Sequence, residues 1–327
     1  MKAAELVRKA VRSCRAGQLL DRETLVELLD IAPDSEGALL LRQAAHAEAL
    51  RITGGRGYLW GALGLDNAPC RMSCRFCSLG EKWRLVRQPK VYDDAEVLRV
   101  FQHYAEAGVH YLVLRTTEFF SIEHLCRLLA AIRGLVPKSC ELALNTGEFD
   151  LQTAERIAAA GGSCVYHTLR LREGTDTAFD PQTRLATMRA VQASPLRLAA
   201  MVEPIGPEHG NGEIATSFLG LVREGAEISG LMARVPVPGT PLGDTQMLAP
   251  ERIAQITAAL RLAGSGHTPD ICVHPTTDLT LSSGANVAII DMGAIPRDTV
   301  PADKAWRDYD CERAAEALQR AGWHQCQ

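Results

Sequence analysis

The feature that most constrains the fold of this chain is a regular alternation of short apolar runs with amphipathic helical patterns. From residue 58 onward, eight runs of strand length are separated by segments whose apolar residues recur at helical spacing. The predicted strands cover residues 58–65, 111–114, 141–144, 163–168, 197–202, 230–235, 270–274 and 286–290. Eight strands joined by helices predict an α/β fold, a (β/α)8 barrel of the TIM type, and 327 residues suffice for one such barrel with additional segments.

Three regions are predicted along the chain. Residues 1–57 form an N-terminal helical extension, residues 58–300 form the barrel, and residues 301–327 form a C-terminal helical tail packed on the barrel. The glycines of Gly54-Gly55-Arg56-Gly57 also suggest a phosphate loop, but no Gly-Lys-Ser/Thr ending follows them. A plain turn is therefore the favoured interpretation.

Composition excludes several classes of partner. The formal net charge is −4 and no basic run is present, which argues against a nucleic-acid partner. No apolar stretch approaches the roughly 20 residues that a membrane span needs, and the first residues predict an amphipathic helix rather than a signal peptide. Ten cysteines in an unexported chain indicate metal ligands or buried thiols rather than disulfides. We therefore expect a protein of the reducing cytoplasm.

Three cysteines lie within eight residues after the first predicted strand: Cys70, Cys74 and Cys77, spaced C-x3-C-x2-C. Soft thiolates select zinc, copper(I) or iron–sulfur clusters. A structural zinc site or a ferredoxin cluster takes four protein ligands, whereas three thiolates suit a four-iron cluster with one iron open to an exogenous ligand. A zinc site remains the alternative.

Polar residues follow the ends of successive predicted strands, where barrel enzymes place their active sites. Examples are Thr116-Thr117-Glu118 after the second strand and Asn145-Thr146-Gly147-Glu148 after the third. Each alone is also explained as a helix cap or a surface ion pair. Together they predict a ligand pocket.

These motifs, in this order, resemble the biotin-synthase-like branch of the radical S-adenosylmethionine (AdoMet) superfamily over roughly residues 35–300. The cysteine loop, with Phe76 before its last cysteine, is similar to the superfamily's signature loop. Gly239-Thr240-Pro241-Leu242 and Gly284-Ala285-Asn286 are similar to short motifs on the sixth and eighth strands of biotin synthase. The resemblance implies a [4Fe–4S] cluster on the three cysteines and AdoMet on its open iron. It also implies reductive cleavage of AdoMet to a 5′-deoxyadenosyl radical, which abstracts hydrogen from an unactivated carbon.

The resemblance also implies a set of AdoMet-binding residues and leaves the catalytic residues unknown. The cofactor-binding candidates are Thr116, Thr117, Glu118, Asn145, Glu148, Tyr166, His167, Arg170, Arg172, Glu173, Glu203 and Ile205. Arg170, Arg172 and Glu173 are the candidates for AdoMet's charged ends, because an arginine grips a carboxylate with two hydrogen bonds. A surface Arg–Glu pair is the alternative.

The chain departs from biotin synthase in one respect. Biotin synthase carries a second, sulfur-donating cluster on strand cysteines, whereas residues 112–114, 142–144 and 200–202 contain no cysteine here. A second iron–sulfur cluster is left open, with Cys272, Cys14 and Cys311 as candidate ligands. Ordinary unliganded thiols are the alternative.

Other segments resemble biotin-synthase-like proteins outside the main biotin enzymes, among them paired radical AdoMet proteins that act together as a lipoyl synthase. This resemblance predicts a lipoyl synthase component that inserts sulfur into an octanoylated carrier protein. Its implied partners are a second radical AdoMet protein, a lipoyl carrier protein and an electron donor such as flavodoxin or ferredoxin. The alternatives are a biotin-synthase-like enzyme, a single-cluster enzyme of cofactor maturation (hydrogenase cofactor or methylornithine type), and a non-catalytic zinc protein.

Overall fold

The computed structural model describes residues 3–326, so the first two residues of the predicted N-terminal helix lie outside the described part. The helices are α1 (Ala3–Arg15), α2 (Arg22–Leu29), α3 (Glu36–Thr53), α4 (Asp94–Glu106), α5 (Ile122–Arg133), α6 (Leu151–Ala159), α7 (Pro181–Gln192), α8 (Asn211–Arg223), α9 (Pro250–Gly264), α10 (Asp278–Leu281) and α11 (Cys311–Arg320). The strands are β1 (Arg56–Gly64), β2 (Asp66–Asn67), β3 (Lys90–Val91), β4 (Tyr111–Arg115), β5 (Glu141–Asn145), β6 (Cys164–Tyr166), β7 (Arg197–Ala199), β8 (Val202–Ile205), β9 (Ala226–Ala233), β10 (Asp270–His274), β11 (Val287–Gly293) and β12 (His324–Gln325). Short 3₁₀ helices cover Glu81–Trp83, Ser265–His267 and Trp306–Asp308.

The sheet closes into a parallel barrel. Its strands pair in the order β1, β4, β5, β6, β7, β9, β10 and β11, and β11 pairs again with β1. Strands β7 and β8 both pair with β9 across a register shift, so they form one interrupted strand. Within residues 3–326 the barrel therefore has eight strand positions, and the predicted (β/α)8 fold is confirmed.

Alternation along each strand divides the core into two layers. Successive side chains of a strand point to opposite faces, so every second residue enters the lumen. Trp60, Tyr111 and Met201 belong to the cluster inside the barrel, whereas Leu59 and Leu112 belong to the larger cluster beneath the helices. Both faces of each strand are buried, which explains why the strands are continuous apolar runs.

The N-terminal helices lie against the outer helices of the barrel. Helix α3 packs on α9, and α2 packs on α8 and α9. The predicted turn at Gly54 is the end of α3, where Gly54 has a φ of 64° and Gly55 a φ of 76°. Strand β12 pairs with the start of β1 and brings the C-terminal segment onto the barrel. No helix in residues 3–326 is both long and apolar enough to cross a membrane.

The sixth barrel strand, β9, begins earlier than predicted. The apolar run starts at residue 230, but β9 starts at Ala226, and Glu227 near its start is exposed. Arg197 on the neighbouring β7 pairs with Glu227 across 3.0 Å. The first residues of this strand are therefore held by an ion pair between strands, which an apolar pattern does not reveal.

Candidate functional site

A cavity opens at the carboxyl ends of the barrel strands, with an empty volume of about 1350 Å³ that is partly open to solvent. Its apolar wall is formed by Trp60, Ala62, Val113, Met201, Met232 and Ile289. The remaining wall carries charged and sulfur-containing groups, including all three cysteines of the C-x3-C-x2-C loop. The cavity thus joins a polar rim to an apolar interior.

The cysteine loop is a compact turn that the barrel holds in place. The Cys70 amide donates to the Leu79 carbonyl across 2.7 Å, and the Glu81 amide donates back to Cys70 across 2.9 Å. The Ser78 amide donates to the Pro296 carbonyl across 2.9 Å, which ties the loop to the segment after β11. These backbone bonds place the three cysteines together on the cavity wall.

Burial disfavours the charged form of all three thiols. Burial raises the pKa of Cys77 to about 11, and it also raises the pKa of Cys70 and, strongly, that of Cys74. Neighbouring thiols raise the pKa of Cys74 and Cys77 further, while the guanidinium of Arg170 lowers the pKa of both. Metal coordination requires thiolates, so a bound cationic centre would stabilise the charge that burial disfavours here.

The number of thiols favours a cluster over a closed zinc site. A structural zinc ion takes four protein ligands, whereas the cysteine loop brings three thiols to the cavity wall. Three thiolates leave one iron of a four-iron cluster open to an exogenous ligand. The three loop sulfurs do not all lie within 4.8 Å of one another, since the group of ligand atoms that close among the described residues consists of Asp176, Glu208 and His209. The residues present fit such a cluster.

The structure divides the predicted AdoMet-binding residues into three groups. Seven of them line the cavity: Thr116, Thr117, Glu118, Asn145, Tyr166, Arg170 and Glu203. Three lie behind the wall and support it: Glu148, His167 and Glu173. Two lie elsewhere, Arg172 on the outer surface and Ile205 in the core under the helices.

The segment after β4 is fixed by a carboxylate that the sequence interpretation missed. Asp66 accepts a hydrogen bond from the Thr117 amide at 2.7 Å and another from the Thr117 hydroxyl. The Glu118 carboxylate accepts from the Glu148 amide at 3.1 Å. Burial raises the pKa of both Asp66 and Glu118. This segment therefore presents a carboxylate that is poorly solvated and ready to pair with a cation.

Arg170 is the centre of the charge network on the opposite wall. Its Nε lies 3.2 Å from the Glu203 carboxylate, and its Nη1 lies 3.8 Å from Glu173. Tyr166 donates a hydrogen bond from its hydroxyl to Glu203. The buried Nη1 atom of Arg170 has no hydrogen-bond partner among the described residues. Arg170 therefore keeps a donor available at the cavity wall.

A second arginine of the cavity wall, Arg184 of α7, extends this network to residues behind the wall. Its guanidinium lies 3.4 Å from Glu173 and 2.8 Å from Glu148, and Glu148 also contacts His167 at 3.0 Å. Although burial opposes it, the His167 ring and the Arg184 charge lower the pKa of Glu148 to about 2. Burial lowers the pKa of His167 to about 4, so the ring is neutral at pH 7. Arg184 was not predicted because it lies inside a helix rather than at the end of a strand.

The placement of Arg172 corrects the expectation that it holds AdoMet's charged ends. Arg172 has a φ of 55°, in the left-handed region, and its side chain is directed to the outer surface. It contacts Glu213 at 3.4 Å and donates to the Glu208 carbonyl at 3.0 Å. It is a surface ion pair, the alternative left open by the sequence, although its partner is Glu213 rather than Glu173.

A buried group of two arginines and one aspartate was also missed. Arg115 donates to Asp291 across 2.7 Å, and Arg297 pairs with the same carboxylate. Although burial opposes it, the two guanidinium groups hold the pKa of Asp291 well below its usual range. His274 lies 3.4 Å from Asp291, and burial lowers the pKa of His274 to about 3. Asp291 lies beyond the predicted end of the last strand, since β11 continues to Gly293.

The candidate ligands of a second cluster lie in three different environments. Cys272 is buried in the barrel lumen near Cys164, Cys14 lies in α1 near Ser265, and Cys311 begins α11 near Tyr104. Among residues 3–326 none of the three belongs to a group of three close ligand atoms. The structure therefore does not bring the two terminal cysteines, Cys14 and Cys311, into one site with Cys272.

Comparisons with known proteins find sequence similarity to biotin synthases. No family model matches the chain. It is 25% identical over 287 residues to a biotin synthase of Mycolicibacterium paratuberculosis, covering 85% of this chain and 79% of that protein. A biotin synthase of Maridesulfovibrio salexigens is 23% identical over 282 residues, covering 82% and 80%.

Solved structures share the fold. Methylornithine synthase superposes with a TM-score of 0.81 at 16% identity, covering 97% of both chains. The FeFe-hydrogenase maturase HydG of Carboxydothermus hydrogenoformans gives a TM-score of 0.76 at 16% identity, covering 98% of this chain and 79% of its own.

The cysteine loop at the barrel mouth and these likenesses agree: the chain is similar to radical AdoMet proteins of the biotin-synthase-like type. This similarity implies a [4Fe–4S] cluster and AdoMet as cofactors.

Proposed function

We propose that Cys70, Cys74 and Cys77 hold a [4Fe–4S] cluster at the cavity rim, that AdoMet binds beside it, and that an aliphatic substrate enters the lumen. One observation carries this proposal. The same cavity has three thiol ligands at its rim and an apolar wall in its interior. Such a cavity suits a reaction at a carbon that carries no activating group.

When bound, the cluster supplies one electron that breaks a sulfur–carbon bond of AdoMet, and the resulting radical removes hydrogen from the substrate. The protein's part is to bind, orient and exclude water. The buried Glu118 carboxylate is suited to AdoMet's amino group, and the free donor of Arg170 is suited to its carboxylate. Trp60, Met201 and Met232 line the lumen with side chains that carry no charge, which suits a reaction at an unactivated carbon.

The substrate we propose is the octanoyl chain of an acylated carrier protein, which makes this chain one component of a two-protein lipoyl synthase. The apolar wall of the lumen suits an aliphatic chain, and the sequence resemblance to paired lipoyl synthase proteins supports an octanoyl substrate. Sulfur would come from an iron–sulfur cluster additional to the one on the loop. Cys272 is the ligand to test first, because it is in the lumen and lies near Cys164.

A second candidate is a single-cluster enzyme of cofactor maturation. Methylornithine synthase has the same fold over 97% of both chains. The candidate ligands of a second cluster, Cys14, Cys272 and Cys311, lie in α1, in the barrel lumen and at the start of α11. Both observations favour an enzyme that rearranges or fragments a carbon skeleton without inserting sulfur.

One experiment separates the two candidates. The anaerobically reconstituted protein is incubated with AdoMet, dithionite and an octanoyl-lysyl peptide, and 5′-deoxyadenosine, thiolated peptide and iron per chain are measured. The lipoyl synthase component is supported if the protein binds more than about four irons per chain and the peptide gains sulfur. About four irons, with AdoMet cleavage and no sulfur in the peptide, supports the second candidate. A peptide with a butyryl group is the matched control, because its four-carbon chain buries less apolar surface against the lumen wall.

A further inference from the structure

A line of four aromatic side chains crosses the lumen of the barrel. The ring centres of Tyr166 and Trp60 are 6.2 Å apart, and those of Trp60 and Tyr111 are 5.2 Å apart. The line ends at Tyr58, whose ring centre lies 5.7 Å from that of Tyr111. We call these four residues the aromatic column. Tyr166 and Trp60 line the cavity, whereas Tyr58 lies near the start of β1, so the column connects the cavity to the amino-terminal end of the barrel.

Two tyrosines of the aromatic column donate a hydrogen bond to a buried carboxylate. Tyr166 donates to Glu203, and Tyr111 donates to Asp270 across 3.2 Å. Burial raises the pKa of both tyrosines, so both hydroxyl groups keep their protons at neutral pH. A protonated phenol gives up an electron far more readily when a base beside it accepts the proton. Glu203 and Asp270 are placed to be those bases.

Packing alone does not require this arrangement. Branched aliphatic side chains usually fill the lumen of such a barrel, and a buried carboxylate is costly unless partners satisfy it. Asp270 therefore also accepts a hydrogen bond from Asn286 at 2.8 Å, and Arg197 lies 4.0 Å from it. Three residues of the aromatic column are buried, whereas Tyr58 is partly exposed. The column is thus shielded from solvent along its length and open at the end that lies away from the cavity.

We propose that the aromatic column passes an electron through the barrel to quench an AdoMet-derived radical that has not met its substrate. This inference rests on the proposed function, because that radical is the oxidant. The reductant is a small thiol in solution, which meets the column at Tyr58. Without such a route the radical would oxidise the residues that line the cavity, and each unproductive cleavage would damage the protein.

The steps balance in hydrogen atoms, electrons and protons. Tyr166 gives its hydroxyl hydrogen atom to the 5′-deoxyadenosyl radical, which becomes 5′-deoxyadenosine; an O–H bond breaks and a stronger C–H bond forms. An electron from Trp60 and a proton from the solvent-filled cavity restore Tyr166. Tyr111 then reduces Trp60 and passes its proton to Asp270. Tyr58 reduces Tyr111, which takes its proton back from Asp270, while Tyr58 releases its own proton to solvent. A thiol gives a hydrogen atom to the Tyr58 radical, and two of the resulting thiyl radicals couple to a disulfide.

The test uses the reconstituted holoenzyme without substrate. Its cluster is reduced with dithionite, the excess is removed, and AdoMet is added, so that each chain cleaves at most one AdoMet. Samples frozen at successive times, with and without glutathione, are measured by electron paramagnetic resonance, and ring-deuterated tyrosine identifies a tyrosyl signal. The 5′-deoxyadenosine in the same samples is measured in parallel.

Two variants interrupt the aromatic column, and a third is the control. Tyr111→Phe keeps the ring and removes the hydroxyl group, and Tyr111 does not line the cavity. Tyr58→Phe changes the partly exposed end of the column and leaves the hydrogen bond between Tyr111 and Asp270 intact. Tyr104→Phe is the matched control, because Tyr104 is as buried as Tyr111 but lies in α4, outside the barrel.

We expect equal amounts of 5′-deoxyadenosine and a tyrosyl signal in every protein. Glutathione should remove this signal from the wild type and from Tyr104→Phe. The signal should persist in Tyr111→Phe and Tyr58→Phe, because an electron from the thiol no longer reaches the oxidised tyrosine. Equal loss of the signal in the column variants and the control would overturn the proposal. So would a wild type that forms 5′-deoxyadenosine without any tyrosyl signal. If the wild type forms no 5′-deoxyadenosine, the proposed function fails, and the column then has no oxidant.

Discussion

Replacing Asp291 with asparagine tests whether the buried charge group at the cavity wall holds this end of the barrel together. The substitution preserves the shape of the side chain and removes its charge. Arg115 and Arg297 are only 12% and 13% exposed, and Asp291 is the only carboxylate within 4.0 Å of either among the described residues. The uncharged amide would leave two guanidinium groups facing each other with no counterion.

The magnitude follows from the geometry. Two unit charges 2.7 Å apart attract by about 6 kcal/mol at an effective dielectric constant of about 20, before the cost of desolvation is subtracted. Asparagine keeps one hydrogen-bond acceptor, but removing one partner of a buried pair generally costs about 3–5 kcal/mol. We therefore expect Asp291→Asn to lower the free energy of unfolding by about 4 kcal/mol. That is a large part of the stability of a typical protein.

Urea unfolding of the metal-free protein, followed by tryptophan fluorescence, measures this change. Trp306 stacks on His274 and lies 5.2 Å from the Arg297 guanidinium, so it reports on the site directly. Asp278→Asn is the matched control, because Asp278 pairs with Arg320 at 3.0 Å on the exposed surface and should change stability by less than about 1 kcal/mol. If Asp291→Asn costs no more than the control, the assignment of a stabilising buried charge group is wrong.

Three further predictions concern pH, backbone packing and the second cluster. His167 and His274 have folded-state pKa values of about 4 and 3 because burial disfavours their charged forms, whereas an unfolded histidine binds a proton near pH 6.5. Each neutral histidine therefore contributes to the free energy of unfolding in full above pH 6.5, and this contribution falls as the pH approaches the folded-state pKa, by about 2 kcal/mol each at pH 5. Urea unfolding should show that His167→Gln loses less stability than the wild type between pH 7 and pH 5. An equal loss of stability in the variant and the wild type would contradict this. A side chain at Gly147 would overlap the Glu118 carbonyl oxygen, so Gly147→Ala should weaken AdoMet binding by about tenfold in calorimetry, and unchanged affinity would refute the role of Glu118. Under the lipoyl synthase proposal, Cys272→Ala should lower iron to about four per chain and abolish sulfur insertion while AdoMet cleavage continues; an unchanged iron content would exclude Cys272 as a ligand.

The barrel was predictable because burial on both faces makes each strand a continuous apolar run. The apolar pattern placed the start of β9 too late, because the exposed Glu227 near its start is held by an ion pair with Arg197 rather than by burial. The cysteine loop and the polar strand ends were also visible, because these residues are close together in sequence or follow an element end.

Contacts between distant segments were not predictable. Arg115 and Asp291 are 176 residues apart, and only closure of the barrel brings them together. Arg170 and Arg172 are two residues apart in the segment after β6, and no local pattern distinguishes them. Arg172 has a left-handed backbone, and its side chain lies on the outer surface rather than at the cavity. Which polar residues share a site is therefore decided by strand register and single backbone angles, and neither is encoded in a local pattern.

Cleavage of AdoMet by the reconstituted protein is the most direct test of the central claim. The anaerobic protein is supplied with AdoMet and dithionite, and 5′-deoxyadenosine is measured together with bound metal, in the wild type and in Cys74→Ala. We expect a brown wild-type protein with at least about four irons per chain that forms 5′-deoxyadenosine, and we expect loss of this product in the variant. A colourless protein that binds zinc at the three cysteines and forms no 5′-deoxyadenosine would contradict it.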